Sequence, residues 1–451
     1  MSDSLPYSPA SRRDFLKTTT VAAVGAGVLG GLGALPGAYA AGDDQMKIAL
    51  IGCGGRGKGA AAQALRTEGN VRLVAMGDAF KDNAESALSQ LKAEFDERPD
   101  RIAVAPDMVF HGFDAYKKIL AIQDLDLVIL ATPPGFRPLH FEAAVAAGKH
   151  VFMEKPVAVD APGVRKVLAA AAEAKKKKLG VGVGLQRHHQ ANYLETIKRL
   201  QDGAIGEIHT ARAYWNMGEL WLRPRTAEQT EMEWQMRNWY YFNWLCGDHI
   251  CEQHIHNLDV INWVKGDVNK DGVYGHPVKA WGMGGRQVRT SKDFGEIFDH
   301  HFVEFEYADG SRMFSQCRQI PGCWNSVSEH VQGTNGYADI SGGVIKSKDN
   351  NWKFEGKVKD PYQVEHDDLF ASIRAGNPIN EAEFGAISSM TSVFGRMATY
   401  SGKELNWRDC IASDITLAPN LENFDFKMTP PVMPKPDGTY PIAVPGITRT
   451  V

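Results

Sequence analysis

Cysteine is scarce. Six residues in 451 (Cys53, Cys246, Cys251, Cys317, Cys323 and Cys410) are too few and too scattered to staple a fold together, which excludes a disulfide framework. The chain also lacks an excess of charge of either sign. Its 50 Lys and Arg stand against 54 Asp and Glu for a net charge of -4, so no basic surface for nucleic acid is implied. The one basic run, Lys175 to Lys178, closes a helical stretch, where cations favour the negative end of the helix dipole. No internal repeat is present, no low-complexity segment follows the first 41 residues, and beyond them no apolar run is long enough to cross a bilayer. What remains, 43% hydrophobic and 23% charged over 451 residues, is the composition of a soluble globular protein of two or three domains.

At the N-terminus, Ser11-Arg12-Arg13-Asp14-Phe15-Leu16-Lys17 precedes a Gly/Ala/Val-rich apolar run and then Ala38-Tyr39-Ala40, a small-x-small cleavage pattern. Residues 1–41 resemble a twin-arginine signal peptide, which implies export, to the periplasm or its equivalent, of a protein already folded. The alternative is a membrane anchor, but Val21 to Leu35 is short and diluted by glycine. A protein matured in the cytoplasm does not depend on pairing Cys317 with Cys323, so no disulfide is expected there.

From Met46 the pattern runs strand (Lys47 to Ile51), glycine turn (Gly52 to Gly57), helix (Lys58 to Arg66) and strand (Val71 to Met76), a βαβ unit. Helices near 83–95, 113–121, 138–147 and 161–175 alternate with apolar strands near 125–131, 150–153 and 179–183, which predicts a parallel sheet covered on both faces and a first domain over 46–186. Past it the rhythm changes. A helix near 191–200 leads into longer alternating strands around 208–215, 278–286, 301–307 and 312–319, an antiparallel or mixed half-buried sheet. Helices near 362–374 and 384–400 pack back on the rest of a second α/β domain over 187–428, and the Pro-rich segment 429–451 forms a surface tail.

Gly52-Cys53-Gly54-Gly55-Arg56-Gly57 fits G-x-G-x-x-G at the junction of a strand and a helix. There glycines permit the tight turn and the close approach of a pyrophosphate to backbone N–H groups at the helix N-terminus. Asp78 closes the second strand where a carboxylate accepts hydrogen bonds from the adenosine ribose and repels a 2′-phosphate. The pair points to NAD rather than NADP, although Arg56 stands within reach of a phosphate.

Ala131-Thr132-Pro133-Pro134 ends a buried strand, His140 follows, and Gly148-Lys149-His150-Val151-Phe152-Met153-Glu154-Lys155-Pro156 comes next. This order over residues 46–187 resembles the family of glucose-fructose oxidoreductase, inositol dehydrogenase and MocA, whose most recognisable motif is Glu154-Lys155-Pro156. The resemblance implies a Rossmann domain joined to a domain with a large, mainly antiparallel open sheet. It further implies that Gly52, Cys53, Gly54, Gly55, Arg56, Gly57, Asp78, Thr132, Pro133, His140, Glu154 and Lys155 border the cofactor. Lys155 then lies beside the nicotinamide, where an ammonium favours negative charge developing on a substrate oxygen.

A second constellation runs from Gly247 to Asp259. Read as one helix, it sets Asp248, Glu252, His256 and Asp259 on a common face, with carboxylates a turn from His256. In the resembled family a segment of this form supplies the proton-accepting histidine, matched by His256, with an acid four residues earlier that orients it; here that acid is Glu252 in place of aspartate. An imidazole so partnered has a pKa suited to proton transfer near neutral pH. His249, Glu252 and His256 also form an H-x-x-E-x-x-x-H array able to hold a metal, but the histidines are seven apart where helices commonly use four, so no metal is expected.

Between the two constellations, Trp215, Trp221, Trp234, Trp239 and Trp244 with Tyr214, Tyr240 and Tyr241 concentrate aromatic surface, divided between core and a platform for sugar rings. Arg223, Arg225 and Arg237 in the same stretch suit either an anionic ligand or surface salt bridges. Substrate contacts are expected from Lys155, Arg187, Trp239, Tyr240, His256 and Asp259. The reading is an NAD(H)-dependent oxidoreductase of a sugar or polyol hydroxyl, with Lys155, His256 and Glu252 catalytic. Two others stay open: a glycosidase that oxidises, eliminates and re-reduces with recycled NAD, and an exported sugar-binding protein without turnover. The resemblance also implies a homodimer or homotetramer through the open face of the second sheet.

Overall fold

The first strand, β1 (Gln45–Ile51), is apolar on both faces, and Met46, Ile48, Ala49 and Leu50 are fully buried in a computed structural model that describes residues 45–266, 274–348 and 351–451. Such a strand needs neighbours on both edges and cover on both faces. β1 pairs in parallel with β2 (Asn70–Asp78) and β4 (Leu127–Leu130); β3 (Val109–His111), β5 (His150–Met153) and β6 (Val181–Val183) complete a parallel six-stranded sheet in the order β3-β2-β1-β4-β5-β6. The chain moves outward through β2 and β3, then returns across β1 to β4. The crevice at that reversal collects the residues that follow β1, β2, β4 and β5. The helix Ala161–Lys176 starts where Asp160 accepts the Gly163 N–H at 2.8 Å and ends in the lysine run, as the dipole argument requires.

The second sheet has nine strands: β7 (Ile208–Met217), β8 (Lys279–Gly285), β9 (His300–Glu306), β10 (Arg312–Gln319), β11 (Ser326–Gly333), β12 (Gly336–Asp339), β13 (Val344–Ser347), β14 (Asn351–Lys353) and β15 (Leu405–Asn406). Neighbours are antiparallel except β7 and β10, which run parallel, so the sheet is mixed. Its inner face, with Ala213, Val303, Phe305 and Met313, packs on the helix Ala382–Ser401 through Met390, Val393 and Phe394. The outer face stays open, exposing Met283 and Tyr337 on the strands and Trp324 beside Tyr214. β11 to β14 carry too few apolar residues to announce themselves in the sequence.

Two late segments cross the expected boundaries. The helix Pro361–Arg374 returns to the first sheet, where Leu369, Phe370 and Ile373 share a core with Ile48, Leu127, Ile129 and Phe152. The segment 429–451 has no regular structure and is largely exposed, yet Tyr440 is buried with its ring stacked 6.0 Å from Trp234. The six cysteines are free, with Cys317 buried and Cys323 exposed. Among the described residues no helix is long and apolar enough to cross a membrane. The twin-arginine segment lies outside the described residues.

Candidate active site

The turn after β1 is built on glycines for two separate reasons. Gly52 adopts φ +97°, and a Cβ there would meet the Ala131 carbonyl carbon at 2.5 Å. At Gly57 a Cβ would lie 1.9 Å from the Gly52 carbonyl oxygen, so the helix Gly55–Arg66 can sit this close to the strand only without a side chain. Gly54 differs. Its missing Cβ would meet nothing within 4 Å, and no side chain caps the helix that follows. A cradle therefore lies open above an uncapped helix N-terminus, a place suited to a pyrophosphate. Asp78 accepts from the N–H groups of Cys53 (2.7 Å) and Phe80 (2.9 Å) and from Asn83 Nδ2 (3.2 Å). A carboxylate has about four acceptor positions, so one remains for a ribose hydroxyl. Burial raises the Asp78 pKa against the lowering effect of those hydrogen bonds.

One cavity of about 560 Å³ runs from this turn to Trp215 on β7 and to the helix His249–Glu252. Gly52, Gly54, Gly55, Arg56, Gly57, Asp78, Thr132, Pro133, His140, Glu154, Lys155, Trp239, Glu252 and His256 border it, uniting most residues expected at a cofactor and substrate site. Lys155 Nζ donates to Glu252 Oε1 at 2.9 Å and to the Glu252 carbonyl oxygen, a nearly buried ion pair between the turn after β5 and the helix His249–Glu252. Arg56 donates to Glu154 at 2.5 Å, contacts Glu365 at 3.4 Å and lies over Tyr362. Arg237 grips Asp82 with both terminal nitrogens and stacks on Phe80. Of the four arginines that line the cavity, Arg56 and Arg237, nearest the glycine turn and Phe80, are committed to carboxylates, Arg137 donates to the Glu154 and Thr132 carbonyls, and Arg223 lies over Trp221. His140 contacts Thr132 Oγ1 at 3.2 Å, and burial together with Arg137 lowers its pKa to about 3, so its imidazole is neutral.

The segment 248–259 corrects the helical-face reading. Gly247 and Asp248 have φ of +77° and +73°, the helix His249–Glu252 is a single turn, and a second helix, Ile255–Lys265, begins after a break at Gln253 and His254. Glu252 consequently turns to Lys155 instead of orienting His256. The His256 ring stacks on Trp215, 5.7 Å between centroids, and its buried Nδ1 has no hydrogen-bond partner. Burial first, then the charges of Lys155, Arg187 and Arg56, hold its pKa well below the ordinary value, so the near-neutral pKa expected of a carboxylate-partnered imidazole does not hold. His249, Glu252 and His256 do not converge: Glu252 pairs with Lys155, the His256 ring stacks on Trp215 and the His249 ring lies beside His301.

Four other expected residues do not border the cavity. Arg187 is buried in an ion pair with Glu329, which also takes Asn257 Nδ2 at 2.5 Å. Asp259 is fully buried and bound by His188, Tyr274 and Ser388. Tyr240 is buried, its hydroxyl accepting from Gln319 at 2.9 Å. Cys53 turns its thiol back to the Gly77 carbonyl, leaving only its backbone N–H to the site. The tryptophans divide: Trp234 and Trp244 are core, whereas Trp215, Trp221 and Trp239 border the cavity. Tyr362, which reaches the cavity from the helix Pro361–Arg374, and Phe136 and Phe113 carried no sequence signal, because only tertiary packing brings them there.

Residues 46–184 match the GFO/IDH/MocA oxidoreductase family, described as an NAD-binding Rossmann fold. Inositol 2-dehydrogenase of Serratia proteamaculans is 28% identical over 274 residues, 59% of this chain and 66% of that protein. Its counterpart from Agrobacterium fabrum is 26% identical over 225 residues, 49% and 55%. The chain thus spans about half to two thirds of the length of these relatives. Among solved structures, scyllo-inositol dehydrogenase from Lactobacillus casei with bound NAD(H) and scyllo-inositol has a TM-score of 0.60 at 18% identity, covering 81% of this chain and 99% of that one. Aldose-aldose oxidoreductase from Caulobacter crescentus gives 0.59 at 19%, with 80% and 99% covered. These structures share the two-sheet α/β fold, and the parallel sheet from β1 to β6 carries the match to an NAD-binding Rossmann fold.

Proposed function

We propose that this protein interconverts a secondary hydroxyl and a ketone on a sugar, polyol or sugar derivative, with NAD(H) as hydride partner. The observation that carries the reading is the single cavity that joins the glycine turn and Asp78 at one end to Lys155, Glu252, His256 and Trp239 at the other. Gly54 and the helix behind it hold the pyrophosphate, Asp78 holds the adenosine ribose, and NAD bound there supplies the hydride acceptor. The substrate hydroxyl lies between Lys155 and His256. His256, kept neutral by its surroundings, accepts the hydroxyl proton, and the Lys155 ammonium stabilises the alkoxide-like oxygen. Glu252 fixes the ammonium in place from both its carboxylate and its carbonyl. Trp215, Trp221 and Trp239 offer ring faces to the substrate's C–H surface.

The protein is exported in folded form through its twin-arginine leader and associates through the open face of the nine-stranded sheet. Met283 (71% exposed), Trp324 (63%) and Tyr337 (51%) support that interface, an apolar surface that a monomer has little reason to expose. The central test is mass spectrometry of the nucleotide released from purified protein, then NADH formation across a panel that begins with inositols, the substrates in the relatives' names. Release of NAD and turnover of a cyclic polyol or sugar is the expected result; protein that neither retains nor binds NAD would refute the reading. Changing Arg12 and Arg13 to lysine should leave uncleaved precursor in the cytoplasm, and Met283→Glu should shift the mass in solution towards the monomer.

A further inference from the structure

We propose that Asp248, His249 and His301 form a buried site for a divalent transition-metal ion of the zinc class, separate from the cavity. Asp248 and His249 open the short helix His249–Glu252, and His301 lies on the inner face of β9. All three side chains are fully buried. One ligand atom from each lies within 4.8 Å of the others. His301 Nε2 is 3.3 Å and His249 Nε2 3.8 Å from Asp248 Oδ1. A tetrahedral ion with bonds of about 2.0–2.1 Å spaces its ligands about 3.3 Å apart, a spacing that Asp248 and His301 already have and that Asp248 and His249 reach with a shift of about half an ångström.

Ordinary buried hydrogen bonding does not account for the arrangement. Neither ring nitrogen of His249 has a hydrogen-bond partner, and His301 Nε2 has only the Asp248 carboxylate beside it, at 3.3 Å. Buried polar atoms left this way call for a ligand. The other atoms are already held in a pose suited to ligation. His301 Nδ1 contacts Thr399 Oγ1 at 2.9 Å, while Asp248 Oδ2 accepts from the Phe298 N–H at 2.9 Å and the Tyr400 hydroxyl at 2.6 Å. None of the three residues borders the cavity, so the ion ties β9 to the turn that carries Glu252 and takes no part in the chemistry.

The test uses the full chain purified from zinc-supplemented medium. Elemental analysis after dialysis should find about one metal ion per chain in the parent and at least tenfold less in His249→Ala and His301→Ala. Should either variant fail to fold, the parent decides alone. Stripped with a strong chelator, it should regain thermal stability with Zn²⁺ and show the visible absorption of tetrahedral Co²⁺ when that ion is added. A stripped parent that neither binds Co²⁺ nor responds to Zn²⁺ overturns the proposal, as does undiminished metal in folded His249→Ala and His301→Ala.

Discussion

Replacing Gly57 with alanine, beside Gly54 with alanine, separates two demands the glycine turn makes. At Gly57 the new methyl would stand 1.9 Å from the Gly52 carbonyl oxygen and 3.0 Å from Ala131 Cβ. Both neighbours belong to backbone or short side chains fixed by parallel strands, so the helix Gly55–Arg66 has to retreat by at least about 1 Å to restore contact distance. Overpacking of this kind costs about 1–3 kcal/mol, enough to lower the melting temperature by several degrees. The retreat also draws the helix N–H groups from the pyrophosphate. Loss of one charge-assisted hydrogen bond, about 1.5–3 kcal/mol, weakens NAD binding roughly ten- to a hundredfold. At Gly54, φ is -66° and a methyl meets no protein atom within 4 Å, so stability holds while the cradle is filled and NAD affinity falls. Thermal unfolding and calorimetric titration with NAD measure both effects. Parental melting temperature and affinity in Gly57→Ala, or undiminished affinity in Gly54→Ala, would refute this account of the turn.

Asp78→Ala should loosen NAD and narrow its advantage over NADP, because the ribose loses an acceptor and a 2′-phosphate loses its repulsion; competition binding of the two nucleotides reads this directly. Lys155→Ala and His256→Ala should each lower turnover by roughly a hundredfold or more while the folded protein still binds NAD. Removing one member of the buried Lys155–Glu252 pair also costs about 3–5 kcal/mol of stability, so affinity is measured on soluble, folded protein. Since His256 is held below its ordinary pKa, oxidation should stay high from neutral pH down to about 6.5 and decline only as the imidazole takes up a proton below it, a limb absent from His256→Ala. Stability should likewise fall on acidification. Burial lowers the His150 pKa to about 4, and burial with Arg137 lowers that of His140 to about 3, so between these values and about 6.5 the unfolded chain binds more protons than the folded one. His150 alone accounts for about 3 kcal/mol across its window, and a melting temperature that stays flat from about pH 7 to pH 4 would contradict it.

The first domain was legible because each of its signals is local. An apolar strand, a glycine turn and an acid at the end of the next strand follow one another within a few tens of residues. The second domain was legible only where strands alternate strongly. β11 to β14 are short and polar, and nothing in the sequence of β7 foretells that it pairs in parallel with β10. Lys155, Glu252 and His256 do border one cavity, but their mutual arrangement was not legible. The spacing from Asp248 to Asp259 assumes an unbroken helix, whereas the positive φ angles at Gly247 and Asp248 and the break before Ile255 turn Glu252 towards Lys155. Arg187, Tyr240 and Asp259 are polar residues of the right type in the right region, yet Glu329 and Gln319, distant in sequence, and Tyr274 and Ser388 occupy their polar groups.

The return of the helix Pro361–Arg374 to the first sheet bears on how this chain is made. One face of that sheet is complete in sequence by Val183, yet Leu369, Phe370 and Ile373, which cover part of it, are synthesised about 190 residues later. At translation rates of about 5–20 residues per second, Phe152 and its neighbours wait roughly ten to forty seconds for their cover. The N-terminal domain therefore emerges from the ribosome with an apolar surface that a chaperone or a neighbouring nascent chain can occupy. Substitutions along the buried face of this distant helix should accordingly show up as lost yield of folded protein, with normal kinetics in the molecules that escape aggregation.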